Sequence, residues 1–421
     1  MIERSTLESG VRVVTERIPT LRSVALGVWV GTGSRDEPDD LAGASHFLEH
    51  MLFKGTARWS ARGIAEAVEA VGGDMNAFTT HEYTAFYIRV PDEAADLAAD
   101  ILADIIREPS FRPDEVESER QVILEEIRMR DDAPDDVVHE TFGATIFPQH
   151  PIGREIIGSH GTVGDMTRDA IADYHRSHYR AHNLVVAAAG NLDHARIIER
   201  LGEALVDGAD GGSGERPARP RPELAPPRPL AVEERPTEQA HLVLGVRSLP
   251  RDDPGRWALG VLNQVLGGGM ASRLFQEVRE ERGLAYSVYS YRAAFEEVGA
   301  LGIYVGTGPE RMNEALDVVD AQIARLRAEG GVSDEELTAA KGHLIGSTAL
   351  SLETAASRMH RIGTAELTLR EVLSVDEVVA KMRAVAADDV ASVVDRLFAD
   401  LHTVLAAVGP FDESALVERV A

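Results

Sequence analysis

No cysteine occurs anywhere in the 421 residues. Disulfides, thiolate metal ligands and a cysteine nucleophile are excluded together. Aromatic residues make up only 5% of the chain, and Ala and Val fill the gap within a hydrophobic share of 44%. That is ample for folded cores and unlike a chain disordered on a large scale. Long apolar runs are missing too. The most apolar stretch, Leu184–Leu192, is far too short to span a bilayer. Met1–Thr20 mixes Glu3, Arg4, Glu8, Arg12, Glu16 and Arg17 with short apolar pieces, and has no core of signal-peptide length. The expectation is a soluble cytoplasmic protein. Positive charge is scarce: 43 Lys and Arg stand against 70 Asp and Glu, a net charge of -27. That argues against nucleic acid and against anionic membrane surfaces as partners. The acidic surplus itself has two readings, a solvated surface that keeps the chain soluble or an acidic chamber that attracts basic peptides.

A chain of this length suits two domains of about 200 residues each. The clearest break in composition runs over 207–235, rich in Pro, Gly and charge with almost nothing to bury, and reads as a linker. It separates a first domain, 1–206, from a second, 236–421. The halves resemble each other. SVALGVWVGTGSRDEPDDLAGASHFLEHMLF and QAHLVLGVRSLPRDDPGRWALGVLNQVLGGG each run from an alternating strand through an Arg-Asp-Pro turn into a helix. Later, FRPDEVESERQVILEE parallels VSDEELTAAKGHLIGS, which suggests duplication and divergence. In the first half, strands are expected at 11–16, 23–31, 74–79, 85–90 and 183–189. Helices are expected at 41–53, 61–71, 94–107, 113–130 and 134–146. Strands that follow one another and helices that come in runs point to an α+β sandwich with a mostly antiparallel sheet in each half.

His46-Phe47-Leu48-Glu49-His50 lies in one of these helices. Residues four apart stack on a helix, so both imidazoles point the same way, and Glu49 belongs to their face. Zinc takes neutral imidazole nitrogens, and a catalytic site needs one more protein ligand and an open position for water. In the helix 113–130, Glu119, Val122 and Glu126 fall on one stripe, whereas Glu125 is rotated about 100° from Glu126. If that stripe meets the histidines, Glu126 completes a His₂Glu site. Periodicity alone does not distinguish this from solvated glutamates on an acidic helix, nor the two histidines from satisfied residues at a polar helix end.

The inverted order His-x-x-Glu-His is the signature of the inverzincins. HFLEHMLFKGT, with Glu126 76 residues after His50, resembles the pitrilysin/insulinase family of zinc metallopeptidases, and most of all the branch of the mitochondrial processing peptidase β subunit and its bacterial relatives. The resemblance extends through GGDMNAFTTHEYTAFY (72–87), ESERQVILEEI (117–127), HPIGREIIGS (150–159), NLVVAAAGNL (183–192) and SRLFQEVREERGLAYSV (272–288). It implies His46, His50 and Glu126 as ligands of one Zn²⁺ per chain, Glu49 as general base and Glu119 as an acid that orients a ligand. It implies that Asn76, Ala77, Phe78 and Thr79 form an edge strand that pairs with an extended peptide substrate, in keeping with the free N–H and C=O groups such an edge offers. It also implies that Arg279 and Tyr286 hold the scissile carbonyl, for which a guanidinium and a phenol are suitable donors. In the second half LGVLNQVLGG stands where the metal helix would be, without ligands.

The resulting expectation is a zinc endopeptidase that hydrolyses extended peptides inside a closed chamber, assembled as a homodimer because the family's chambers take two chains of this size. The alternative is a non-catalytic structural or partner subunit of the same fold, a role in which family members have typically lost the metal ligands.

Overall fold

The computed structural model describes residues 1–205, 219, 221–399 and 403–419. The first half supplies six strands, β1 (Ile2–Thr6), β2 (Arg12–Arg17), β3 (Ser23–Val30), β4 (Asp74–Thr79), β5 (Thr84–Pro91) and β6 (Leu184–Gly190). Five more follow, β7 (Leu230–Glu234), β8 (Ala240–Ser248), β9 (Ala285–Ala294), β10 (Gly299–Thr307) and β11 (Val404–Gly409). The helices that matter to the site are α1 (Ala44–Met51), α2 (Ala61–Ala70), α3 (Ala95–Arg107), α4 (Pro113–Asp131) and α5 (Pro134–Ile146). Each expected strand and helix of the first half is present, shifted by at most a few residues at its ends. β1, too polar to stand out, pairs antiparallel with β2.

The two sheets share one connectivity. The first is ordered β1-β2-β6-β3-β5-β4 and the second β7-β11-β8-β10-β9. In each sheet one pair is parallel, β2 with β6 and β7 with β11, and the other neighbours run antiparallel. With β1 set aside, the strands correspond one for one. This is the topology of a duplicated α+β sandwich with mostly antiparallel sheets.

The packing departs from two contiguous halves. One compact unit comprises Met1–Arg128, Arg154–Pro220 and Ser351–Val372; the other comprises Met129–Gly153, Arg221–Leu350 and Leu373–Ala421. The reason lies in the strands. β3 and β6 are buried along almost their whole length, so the sheet needs apolar cover on both faces. In the first unit α1 and α3 cover one face, with Phe47, Leu48, Leu102 and Ile105 packed on Leu26, Val28 and Phe86. The other face is covered by the helix Ala355–Thr368, whose Met359 and Ile362 pack on Trp29, Val185 and Ala187. Buried Glu366 on this helix binds Arg4 at 2.7 Å and Arg12 at 3.1 Å. In the second unit α5 plays the matching part, with Val138, Phe142 and Ile146 against Val243, Ala406 and Val408. Helical periodicity identifies an apolar face but not the sheet it will cover. The expected linker is corrected as well: β7 lies inside it and pairs in parallel with β11, while 207–218 and 220 lie outside the described residues. Among the described residues no helix is long and apolar enough to cross a membrane.

Candidate metal centre

The eight residues of α1 divide cleanly. Phe47, Leu48 and Met51 are buried in the core, while His46, Glu49 and His50, spaced i, i+3 and i+4, occupy the partly open side. α4 docks beside it through Val116, Ile123 and Ile127, and Arg120 of α4 lies over the Phe47 ring at 5.5 Å. That contact sets the phase of α4. Glu119 is buried, Glu126 is half-buried, and Glu125 points away, paired with Arg128 at 2.6 Å.

Glu126 Oε2 stands 3.8 Å from His46 Nε2 and 3.6 Å from His50 Nε2. One donor atom from each of the three residues lies within 4.8 Å of the other two, and this is the only such group of His, Asp or Glu among the described residues. Donors around a tetrahedral zinc stand about 3.3 Å apart, so the Glu126 oxygen is within a few tenths of an ångström of that spacing from each imidazole. Two imidazoles and a carboxylate, with no thiolate, match the His₂Glu sets of zinc hydrolases that keep a fourth position open. The residues therefore fit the ion.

The surroundings hold the ligands in usable form. Burial, with the neighbouring His50 charge adding to it, pushes His46 down to about 3, so its ring is neutral, as a metal ligand must be. For His50 burial works downwards, but the hydrogen bond it donates to Glu119 and the charges of Glu126, Glu119 and Glu49 outweigh it and raise the pKa. His50 Nδ1 and Glu119 Oε1 are 2.8 Å apart, which leaves Nε2 facing Glu126. The other oxygen of Glu119 meets Lys54 Nζ at 2.5 Å. Burial works against the Glu119 charge, yet these two partners together lower its pKa. The carboxylate–histidine pair fixes the ring orientation, an arrangement that metal-binding histidines commonly use. Lys54 was not singled out by the sequence reasoning, although it sits four residues beyond His50, one turn along the same path.

Glu49 has its pKa raised, chiefly by burial, with Glu126 adding to the effect and hydrogen bonds from the Thr79 side chain and backbone opposing it. Thr79 closes β4, and β4 is the edge strand of its sheet, with β5 its one strand neighbour among the described residues. Asn76, Ala77, Phe78 and Thr79 thus lie on a free edge that ends at Glu49. Phe78 turns to the opposite face from Ala77 and packs near Tyr83, Tyr87 and His360.

Arg279 and Tyr286 belong to the second unit. Arg279 lies on the irregular helix Phe275–Glu281, and Gly283, at φ 59°, ends that turn before β9 begins at Ala285. The Arg279 guanidinium sits 4.4 Å over the Tyr286 ring and donates to the Tyr286 carbonyl at 3.0 Å. Tyr286 is 78% exposed. It is not part of either core.

The family model described as Insulinase (Peptidase family M16) matches residues 12–160, which include α1, the β4 edge and α4. An uncharacterized zinc protease of Streptomyces coelicolor is 44% identical over 396 residues, covering 93% of this chain and 86% of that protein. The chain belongs to peptidase family M16. A second model, described as Peptidase M16 inactive domain, matches residues 165–344, the part that carries no His-x-x-Glu-His. An uncharacterized zinc protease of Bacillus subtilis, YmxG, is 40% identical over 412 residues, covering 97% of this chain and 98% of that one. Among solved structures, a chain from Pseudomonas fluorescens described as a peptidase M16 inactive domain superposes with a TM-score of 0.89 at 22% identity, over 98% of both chains. A protease from Helicobacter pylori gives 0.88 at 22% identity, over 97% of this chain and 99% of that one. At such identity these two establish the shared M16 fold.

Proposed function

We propose that this M16 chain is a zinc-dependent endopeptidase that hydrolyses peptides bound in extended conformation. The observation that carries this reading is the convergence of His46, His50 and Glu126 beside Glu49, at the end of a free strand edge. Zinc bound there supplies Lewis acidity, lowering the pKa of a bound water towards about 7 and polarising a carbonyl oxygen. The β4 edge lends its backbone groups to the substrate backbone, giving affinity with little demand on sequence. Glu49 takes the proton of the attacking water and passes it to the leaving amine, a role suited to a carboxyl whose burial has already raised its pKa. Glu119 and Lys54 hold the His50 ring. For Arg279 and Tyr286 the proposed role, as donors to the oxygen that gains charge, rests on the family resemblance, as does assembly into a homodimer.

Glu49→Gln tests the reading, because the amide keeps the shape and loses the base. The variant is expected to retain zinc and lose peptide cleavage by at least a hundredfold. Cleavage at near-normal rate with zinc retained would remove Glu49 from the role.

A further inference from the structure

The N-terminus of α1 carries an unusual burden. The helix has only eight residues, its N-cap is Gly43 with φ 98°, and no side chain at the cap position accepts a hydrogen bond. Orphan N–H groups at a helix start need an acceptor. Here that acceptor comes from six residues upstream. Glu37 takes the Gly43 N–H at 2.8 Å on one carboxyl oxygen and the Ser45 N–H at 2.6 Å on the other. Glu37 is 5% exposed, so water offers no substitute. His46 is the next residue after Ser45.

Glu37 is itself held. Arg154 donates to the Glu37 carbonyl at 2.7 Å, to the Ser34 carbonyl at 3.2 Å and to Asp39 at 2.6 Å, so one guanidinium spans the turn that presents the carboxyl group. The same turn is pinned on its far side by the β4–β5 connection, where the Ser34 N–H meets the Thr80 carbonyl and the Arg35 N–H meets the His81 carbonyl. The backbone beyond Arg154 closes the arrangement. A Cβ on Gly43 would fall 2.7 Å from the Ile157 carbonyl, and one on Gly158 would fall 2.4 Å from the Ala42 carbonyl, with both glycines at positive φ. The HPIGREIIGS segment, which the proposed chemistry leaves without a task, is thus the strut against which the start of α1 rests.

We propose that Glu37, held by Arg154, is a positioning residue that caps α1 from outside the helix and thereby fixes the direction of His46, Glu49 and His50. The role rests on the reading of His46, His50 and Glu126 as a zinc site. Neither residue touches the ion or the substrate. Without the cap the first turn of α1 frays in the metal-free protein, and zinc binding has to restore it, so affinity falls while the ligand set stays complete.

The test compares Glu37→Ala and Arg154→Met with wild type and with Val185→Ala, a core truncation in β6 on the opposite face of the same sheet. Zinc affinity is measured by competition with a chromophoric chelator, and folding by thermal unfolding without metal. For Glu37→Ala the zinc affinity of the folded protein is expected to fall roughly five- to thirtyfold, the equivalent of one to two lost caps. Arg154→Met is expected to fall in the same direction by less. The visible bands of the cobalt-substituted protein are expected to shift in both. Val185→Ala should lower the unfolding temperature and leave zinc affinity within twofold. Unchanged affinity in Glu37→Ala and Arg154→Met, or an equal fall in Val185→Ala, overturns the positioning role. Failure of the wild type to bind zinc overturns the metal site instead.

Discussion

Replacing Glu119 by Gln isolates what the group behind His50 contributes. The substitution preserves shape and leaves an oxygen able to face His50 Nδ1, now 2.8 Å from the carboxylate. The amide nitrogen then confronts the Lys54 ammonium, which has the carboxylate at 2.5 Å in the wild type. Two effects follow. Outer partners of metal-binding histidines are worth 10- to 100-fold in affinity, about 1.4–2.7 kcal/mol at about 1.4 kcal/mol per decade. Separately, Lys54 is 31% exposed and loses its ion partner, which costs fold stability on the order of 1–2 kcal/mol. The two are separable by assay. Chelator competition reads the first, and urea unfolding of the metal-free protein reads the second. Adding Lys54→Met should recover part of the stability and little of the affinity, because the lysine acts on zinc only through Glu119. Zinc affinity within twofold of wild type in Glu119→Gln would refute the assignment.

Three further outcomes are expected. Phe47 is fully buried between the sheet and Arg120, so Phe47→Ala should cost about 3–5 kcal/mol in urea unfolding; less than 1 kcal/mol would mean that α1 is not seated as described. Burial pushes His175 down to about 4 from an ordinary 6.5, with its Nε2 on the Ile106 carbonyl at 2.9 Å. Its folded pKa lies below the unfolded value, so the folded protein binds fewer protons between those values. The contribution is therefore present above about pH 6.5 and lost as pH falls through about 4, at most on the order of 3 kcal/mol. His175→Phe should flatten stability against pH in that window, and an unchanged slope would count against the buried neutral ring. Finally, a substrate peptide added to zinc-loaded Glu49→Gln should protect the amides of 76–79 from hydrogen exchange, and unaltered exchange there would remove β4 from substrate binding.

Much of this arrangement is legible in the residues. Strands such as β3 and β6 announce themselves by continuous Val and Ala, and the helical phase of α4 by itself separates Glu126 from Glu125. What sequence does not carry is pairing at a distance. The assignment of α5 to the second sheet and of 355–368 to the first depends on which apolar face remains uncovered. β1 escapes notice because four of its five residues are charged or carry a hydroxyl, and only its pairing with β2 makes it a strand. Lys54 and Glu37 are ordinary charged residues until the fold sets one beside Glu119 and the other over the start of α1. Local pattern names the ligands, while the groups that steady them are chosen by tertiary contact.

The central claim is that His46, His50 and Glu126 hold one zinc ion per chain. Elemental mass spectrometry of natively purified protein, set beside His50→Ala and Glu126→Gln, tests it most directly. About one zinc per chain is expected in the wild type and in Glu49→Gln. Near-complete loss is expected in His50→Ala, and strongly weakened retention in Glu126→Gln. Zinc held undiminished without His50, or a wild type that cleaves peptides with no metal bound, would contradict it.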